Sequence, residues 1–408
     1  MVIFSRTVER FQTKKSHILL FVLAIGVVGA FLVFGKPLAG TYSELQTLNE
    51  KNMSFEEISD FFENIANEKG GAYAYEILKR ADLPANVDLH LLGHVIGDEL
   101  YKQEGIAGIA TCTHDFRNAC SHSVVIGTLL EYGESSLPDI REACLKAPGG
   151  KGAYTMCFHG LGHGVLAYLD YDFTHVADFC RQVGTPEYGE REYIECVGGA
   201  VMEMVSGVHD PATWEEAKKK YFVEGKPFAL CDSSFVPDDV KAICYTYITP
   251  ELLTAVGADL ARPTPENFTD AFKICHTVVR PDLRDICYAS LGKEFVALAR
   301  DRDIRAVETA TDSQLKTMYE WCTLAESRSG AESCMKSALQ SLFWGGENNR
   351  SASVRFCSLI SDAEHQDSCF RELTGAVGYY IDDMRYYKSY CSEIPERLRE
   401  ECRSTLGV

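Results

Sequence analysis

The segment CHTVVRPDLRDICYASLGKEFVALA, from Cys275 to Ala299, shows the local pattern from which the fold is predicted. Cys275 ends an apolar stretch, and a short polar loop follows it. Pro281 then stands where a second helix should begin, a position that tolerates its missing N–H. Cys287 opens a further apolar pattern of helical period. The segment therefore predicts two helices joined by a short loop, with one cysteine on each side of the loop.

This pattern recurs along the chain. All sixteen cysteines follow residue 111, and in order they form eight local pairs. An even number of cysteines outside the cytoplasm favours disulfides, and the absence of CxxC and CxxCH motifs argues against zinc thiolate and c-type haem sites. Nearest-neighbour connectivity is the most economical arrangement: Cys112–Cys120, Cys144–Cys157, Cys180–Cys196, Cys231–Cys244, Cys275–Cys287, Cys322–Cys334, Cys357–Cys369 and Cys391–Cys402.

The repeated units predict an all-α fold, in which helical hairpins are stapled by disulfides and stack as an α-solenoid or a helical bundle. A disulfide across such a hairpin closes a loop of roughly a dozen residues and contributes on the order of 2–3 kcal/mol of stability. Alternating β-branched runs are short, so little strand is expected. Ser54 and Glu57 have the spacing of a capping box at the start of a helix.

The amino terminus carries the pattern of a membrane anchor. Residues 18–35 form an uncharged apolar run at the lower limit of the length that spans a bilayer as a helix, and basic residues dominate the segment before it. That charge bias predicts a cytoplasmic tail at 1–16, a transmembrane helix at 17–36 and an extracytoplasmic location for the remainder. A cleaved secretory signal has the same layout and is the main alternative.

The exported part divides into three by composition. Residues 37–85 are predicted to be a helical spacer, residues 86–210 a histidine-rich helical domain, and residues 211–408 a set of plainer cysteine hairpins that support the first part or bind a protein partner. The net charge of −19 argues against a nucleic-acid partner. Solubility of an exported domain accounts for this charge.

Eight of the eleven histidines lie between residues 90 and 209. Two pairs have i,i+4 spacing, His90/His94 in HLLGHVIGD and His159/His163 in HGLGHG. This spacing places both imidazoles of a pair on one face of a helix, one turn apart, which suits two ligands of one ion. A fifth histidine, His122, follows Cys120 by two residues, just as His159 follows Cys157.

The recurrence predicts that the histidines converge when consecutive hairpins stack. The candidate ligands are five imidazoles and two carboxylates, a set of donors that suits zinc, iron or copper. They are His90, His94, His122, His159, His163, Asp98 and Glu203. Gly93 and Gly160 lie between the paired histidines, which indicates close approach of another helix or of a bound group.

Other interpretations stay open. The paired histidines are also compatible with ordinary helix packing, and one histidine of each pair would suit the two axial positions of a haem. The function predicted first is a metal-dependent hydrolase or oxidoreductase, and the alternatives are a non-enzymatic binding scaffold and a haem protein. GxSxG, HExxH and P-loop motifs are absent from the sequence, so the residues do not identify a reaction.

Overall fold

A computed structural model of the chain describes residues 41–50, 53–207, 211–345 and 348–408. Within these ranges the regular structure is helical, and the sole β feature is an isolated bridge between Val223 and Lys226. The prediction of an all-α fold is confirmed for this part of the chain. The predicted tail at 1–16 and the anchor at 17–36 lie outside the described residues and stay predictions.

The described residues form twenty-one α-helices. Their bounds are α1 Thr41–Glu50, α2 Phe55–Lys69, α3 Gly71–Arg80, α4 Leu89–Glu104, α5 Ala119–Tyr132, α6 Leu137–Lys146, α7 Gly150–Tyr168, α8 Val176–Arg181, α9 Arg191–Ser206, α10 Pro211–Tyr221, α11 Ala229–Asp232, α12 Lys241–Tyr247, α13 Thr249–Ala255, α14 Pro265–His276, α15 Pro281–Leu298, α16 Asp312–Cys322, α17 Arg328–Gly345, α18 Arg350–Leu359, α19 Ala363–Tyr380, α20 Met384–Glu393 and α21 Arg399–Leu406. None of these helices is both long enough and apolar enough to cross a membrane.

Local signals in the sequence set several helix ends. The Ser54 side chain accepts a hydrogen bond from the Glu57 backbone at 3.2 Å, and the Ser54 backbone donates to the Glu57 carboxylate at 2.7 Å. This is the predicted capping box, and it satisfies two backbone donors at the start of α2. Pro281 occupies the first position of α15, as predicted, where no intrahelical N–H bond is lost.

All eight nearest-neighbour disulfides are present. Their Cα–Cα distances lie between 5.4 Å for Cys112–Cys120 and 5.7 Å for Cys144–Cys157, within the usual span of a disulfide. Seven of the eight join one helix to the next, and Cys112–Cys120 joins a turn to α5. The chain contains no free cysteine.

The second helices of the hairpins pack against one another in chain order and form a row. Helix α4 contacts α5, which contacts α7, and the row continues through α9, α12, α15, α17, α19 and α21. The first helices of the hairpins flank this row and are tied to it by the disulfides. Each neighbour buries an apolar face of the next, which is the stabilising logic of a solenoid.

The start of this row is hydrogen-bonded to residues near its middle. The Asn86 backbone N–H donates to the Asp301 carbonyl at 2.8 Å, and the Arg305 guanidinium donates to the Leu78 carbonyl at 3.2 Å. A Cβ added to Gly152 of α7 would lie 2.5 Å from the indole nitrogen of Trp344 on α17. The inner faces of the early and later hairpins therefore enclose a common interior.

Residues 53–79 and 83–408 form one compact unit. The predicted division into residues 37–85, 86–210 and 211–408 stays a prediction. Helix α1 and residues 80–82 belong to a second, smaller unit. All the residues of the site described below belong to the larger unit.

Candidate metal centre

Three consecutive helices of the inner row place five histidines side by side. Helix α4 carries His90 and His94, α5 carries His122, and α7 carries His159 and His163. The last four are buried, with exposed fractions of 1–2%. Neighbouring ring centroids lie 4.8 Å (His90–His94) to 6.0 Å (His94–His163) apart, so the five imidazoles form one contiguous group.

Glycines allow these helices to approach each other closely. A Cβ on Gly97 of α4 would lie 2.8 Å from the carbonyl oxygen of Cys120 on α5. A Cβ on Gly160 of α7 would lie 2.6 Å from the Cα atom of His122. Both distances are too short for any side chain, so the glycines are required for the helices to bring their histidines together.

His90, His94 and His122 form a group with the geometry of a metal site. One ring nitrogen from each histidine lies within 4.8 Å of those of the other two. The Nε2 atoms of His90 and His94 are 3.2 Å apart. Two nitrogens that each lie 2.0–2.1 Å from a tetrahedral zinc ion are separated by about 3.3 Å, so this pair already has the spacing of two ligands.

Hydrogen bonds from the opposite ring nitrogens determine how the pair is protonated. His90 Nδ1 lies 2.7 Å from the Phe116 carbonyl oxygen, which can only accept, so Nδ1 carries the proton. The Ser123 hydroxyl donates its proton to the His94 carbonyl and therefore accepts from His94 Nδ1 at 3.0 Å. In both neutral rings the Nε2 atom consequently holds a lone pair.

The interior keeps these rings neutral at ordinary pH. Burial lowers the pKa of His90 to about 4, although the Asp88 carboxylate opposes that shift. Burial, followed by repulsion from His159 and His90, holds the pKa of His122 well below its usual value. The pKa of His159 is lowered by burial against the opposing effect of Glu195. Neutral imidazoles are the form that binds metal.

Two buried carboxylates of α9 face the second histidine pair. His163 Nδ1 lies 3.0 Å from Glu203 Oε2, and the Tyr171 hydroxyl donates to Glu203 Oε1 at 2.7 Å. His159 Nδ1 lies 3.6 Å from Glu195 Oε2. A carboxylate on the far nitrogen of a histidine is the usual outer partner of a metal ligand, because it orients the ring and raises its basicity.

The turn before α5 has an uncommon backbone. Phe116, Arg117 and Asn118 have φ values of 57°, 54° and 64°, a left-handed run of three residues without glycine. Each such residue costs on the order of 1–2 kcal/mol. The turn places the Phe116 carbonyl on His90 Nδ1 and brings Arg117 to the wall of the adjacent cavity. No signal in the sequence indicated this conformation.

The histidine group borders a cavity of about 160 Å³. His90, His122 and His159 line it from the first hairpins, while Lys293 and Trp344 line it from later ones. The wall is completed by Tyr247, Met156, Met202 and His114.

The Lys293 ammonium group lies 4.5 Å above the Tyr247 ring and 2.7 Å from the Glu294 carboxylate. An ion held by the histidines would therefore face an enclosed space with a cationic side chain in its wall.

The predicted site residues have different positions. The five predicted histidines come together, and Glu203 reaches the group through His163. Asp98 is exposed and lies outside the His90, His94 and His122 group. Glu195 was not predicted. It directly precedes Cys196, close to the place in the repeat where earlier units carry a histidine after the second cysteine. His175 and His276 lie elsewhere, next to Asp172 and Tyr288.

Comparisons with protein-family models, with curated proteins and with solved structures give no match to this chain.

Proposed function

We propose that this chain is a metal-dependent extracytoplasmic protein that binds a transition-metal ion through His90, His94 and His122. The observation that carries the proposal is the pair of Nε2 atoms 3.2 Å apart, each with its lone pair directed into the group. Two lone pairs at this distance repel each other, and a cation between them converts that repulsion into two coordinate bonds. His122 supplies the third nitrogen within reach.

The site resembles a catalytic metal site more than a structural one. Structural zinc sites are closed by four protein ligands, whereas catalytic sites keep one position for water or substrate. Here three histidines border a cavity of about 160 Å³ that admits a small molecule. A bound ion would supply either an activated water for hydrolysis or a centre for oxygen and electron chemistry. Lys293 in the cavity wall favours a substrate that carries a negative charge.

The donor atoms narrow the choice of metal. Imidazole nitrogens suit zinc, iron and copper, and thiolates are excluded because every cysteine is in a disulfide. Met156 and Met202 line the same cavity, and thioether sulfur is a soft ligand that selects copper in its reduced state. Copper is therefore the metal we place first, followed by iron and zinc.

Two other functions compete with this proposal. A haem requires axial histidines on opposite sides of a porphyrin, but the five rings contact one another directly and leave no gap for a macrocycle between them. A binding scaffold that uses residues 211–408 for a protein partner predicts that histidine substitutions leave partner binding intact, whereas reduction of the disulfides abolishes it. A Soret band in the purified protein would favour haem over a bare ion.

The extracytoplasmic location is part of the proposal. Eight disulfides persist in oxidising compartments and are rare in the cytosol, and the apolar run at 17–36 supplies an anchor or a signal for export. Digestion of intact cells with a protease that cannot cross membranes tests this orientation: the exported part should be cleaved, and protection of the whole chain would contradict it.

Metal analysis of the full chain tests the proposed site directly. The wild-type protein should retain transition metal after purification, and the His90→Ala plus His94→Ala variant should lose affinity at this site by at least a hundredfold. The matched control is His175→Ala, because His175 is exposed and lies outside the group. A folded wild-type chain that takes up no copper, iron or zinc would overturn the proposal.

A further inference from the structure

The second histidine pair has the features of a ligand pair but lies outside the three-histidine group. His159 and His163 are 1% exposed and one helical turn apart on α7, with ring centroids separated by 5.2 Å. Their Nδ1 atoms face Glu195 and Glu203 at 3.6 and 3.0 Å. The His163 ring is thus oriented from behind by a hydrogen-bonded carboxylate, the His159 ring faces a carboxylate at a longer distance, and the Nε2 edge of each ring points away from its carboxylate.

His122 lies between the two pairs. Its ring centroid is 5.8 Å from that of His90 and 5.7 Å from that of His94, and 5.5 Å from that of His159 and 5.8 Å from that of His163. Both ring nitrogens of His122 are buried without a hydrogen-bond partner of normal geometry.

A buried polar atom left unsatisfied costs roughly 1–3 kcal/mol, and His122 has two such nitrogens, separated by one ring carbon. The ring fits at this place because Gly160 of α7 has no side chain that would collide with it. A fully buried ring that contacts two pairs of imidazoles and has no well-aligned hydrogen bond at either nitrogen has the arrangement of a bridging ligand. One ion on each side would satisfy both nitrogens.

We propose that His159 and His163 bind a second transition-metal ion and that the His122 imidazole bridges the two ions through its two nitrogens. This inference rests on the proposed function, because the first ion is the one held by His90, His94 and His122. To bridge, neutral His122 gives up its remaining N–H proton to solvent, and each nitrogen then donates one lone pair to one ion. Glu203 and Glu195 act as positioning residues for the second ion.

Stoichiometry and magnetic coupling distinguish one ion from two. The full chain is stripped with a chelator, titrated with Cu²⁺ and followed by metal analysis and electron paramagnetic resonance. We expect two ions per chain and, at two equivalents, a resonance intensity at least fivefold below that of two isolated Cu²⁺ ions, because an imidazolate bridge couples their spins. The His159→Ala plus His163→Ala variant should bind one ion and show its full intensity.

A double variant that removes two histidines outside the group, His175→Ala plus His276→Ala, is the control and should bind two ions as the wild type does. One ion per wild-type chain would overturn the second site and leave the proposed function standing. No bound ion would overturn both. Two ions with the full intensity of isolated Cu²⁺ would overturn the bridge. These outcomes are measured on the wild-type chain, so they stand even if a variant fails to fold.

Discussion

The Nε2 atoms of His90 and His94 face each other at 3.2 Å across one turn of α4. Each ring is held from its far side, His90 by the Phe116 carbonyl and His94 by the Ser123 hydroxyl. Because these partners accept hydrogen bonds from the Nδ1–H groups, the Nε2 lone pairs face each other, and a cation between them would turn their repulsion into two coordinate bonds. The hydrogen bonds at the two Nδ1 atoms therefore determine which nitrogens are available to bind a metal ion.

Removal of the Ser123 hydroxyl should weaken metal binding without unfolding the protein. Ser123→Ala frees His94 to rotate and to adopt the other tautomer, so we expect a 10- to 100-fold loss of metal affinity, the usual effect of losing an outer partner of a ligand. Competition with a chromogenic chelator measures this affinity.

The control for Ser123→Ala is Ser290→Ala. Ser290 is also buried, also lies three residues after the second cysteine of its hairpin, and donates to the Cys287 carbonyl at 2.8 Å. Equal affinities in the two variants and the wild type would show that Ser123 does not position His94.

The sequence predicted the histidine group because two regularities coincide. The i,i+4 spacing fixes two rings on one helix face, and the position two residues after the second cysteine recurs at His122 and His159. Stacked hairpins bring equivalent positions together, so periodicity alone predicts convergence. Asp98 lies eight residues from His90, which rotates it by about 80° around the helix from that ring, and its side chain is exposed.

The rest of the site depends on how the hairpins pack along the row. Lys293 and Trp344 reach the cavity only because residues 294–305 return to the start of the row, as the hydrogen bond between Asn86 and Asp301 shows. This return results from the sum of many small angles between helices, none of which a single segment determines. The left-handed turn at residues 116–118 was equally hard to predict, because of its three residues only Asn118 has a preference for that conformation.

The close contact between α7 and α9 should not tolerate a methyl group at Gly162. A Cβ on Gly162 would lie 1.9 Å from the Cys196 carbonyl oxygen, so Gly162→Ala must push α7 away from α9. We expect a loss of at least 2 kcal/mol in the free energy of unfolding and a parallel loss of metal affinity. Chemical denaturation followed by circular dichroism measures the first quantity.

The control is Gly375→Ala, which makes the same chemical change but should not lower the free energy of unfolding. Gly375 lies inside α19 with nothing within 4 Å of an added Cβ. Alanine is favoured over glycine in a helix by about 1 kcal/mol, so this variant should be as stable as the wild type or more so. Similar destabilisation by both substitutions would show that the α7–α9 contact is looser than described.

Loss of single disulfides should separate stability from metal binding. The Cys144–Cys157 disulfide ends two residues before His159, whereas Cys391–Cys402 ties the last two helices far along the row. The two bridges close loops of similar length, with sequence separations of 13 and 11 residues. Replacing either pair by alanines should therefore destabilise the fold by a similar amount, about 2–3 kcal/mol.

Only the Cys144 and Cys157 double variant should also lose metal, because its bridge fixes the start of α7 and hence the position of His159. We expect at least a tenfold lower affinity there and an unchanged affinity in the Cys391 and Cys402 variant. Metal titration under non-reducing conditions gives both values. Equal affinities in the two variants would separate the disulfide from the site.

Acidification should destabilise the metal-free chain within a defined window. Burial lowers the pKa of His90 to about 4 and also lowers the pKa of His122 and His159, whereas an unfolded histidine has a pKa near 6.5. Between these values the unfolded chain binds more protons than the folded chain, so the free energy of unfolding falls as pH falls. The slope is at most about 1.4 kcal/mol per pH unit for each histidine.

The pH range in which the histidines destabilise the metal-free chain lies above the range in which the carboxylates do so. The pKa of Glu294 is lowered to about 2 by Lys293 and Arg117 against the effect of burial, so the stability it contributes is lost only below the unfolded value near 4.3. Denaturant titrations at pH 7, 6 and 5 with a chelator present therefore report the histidines. His122→Ala should flatten the dependence and the exposed-residue variant His175→Ala should retain it. An apo chain equally stable at pH 7 and 5 would mean that the rings are solvated or already protonated when folded, and that the chain has no neutral ligand group.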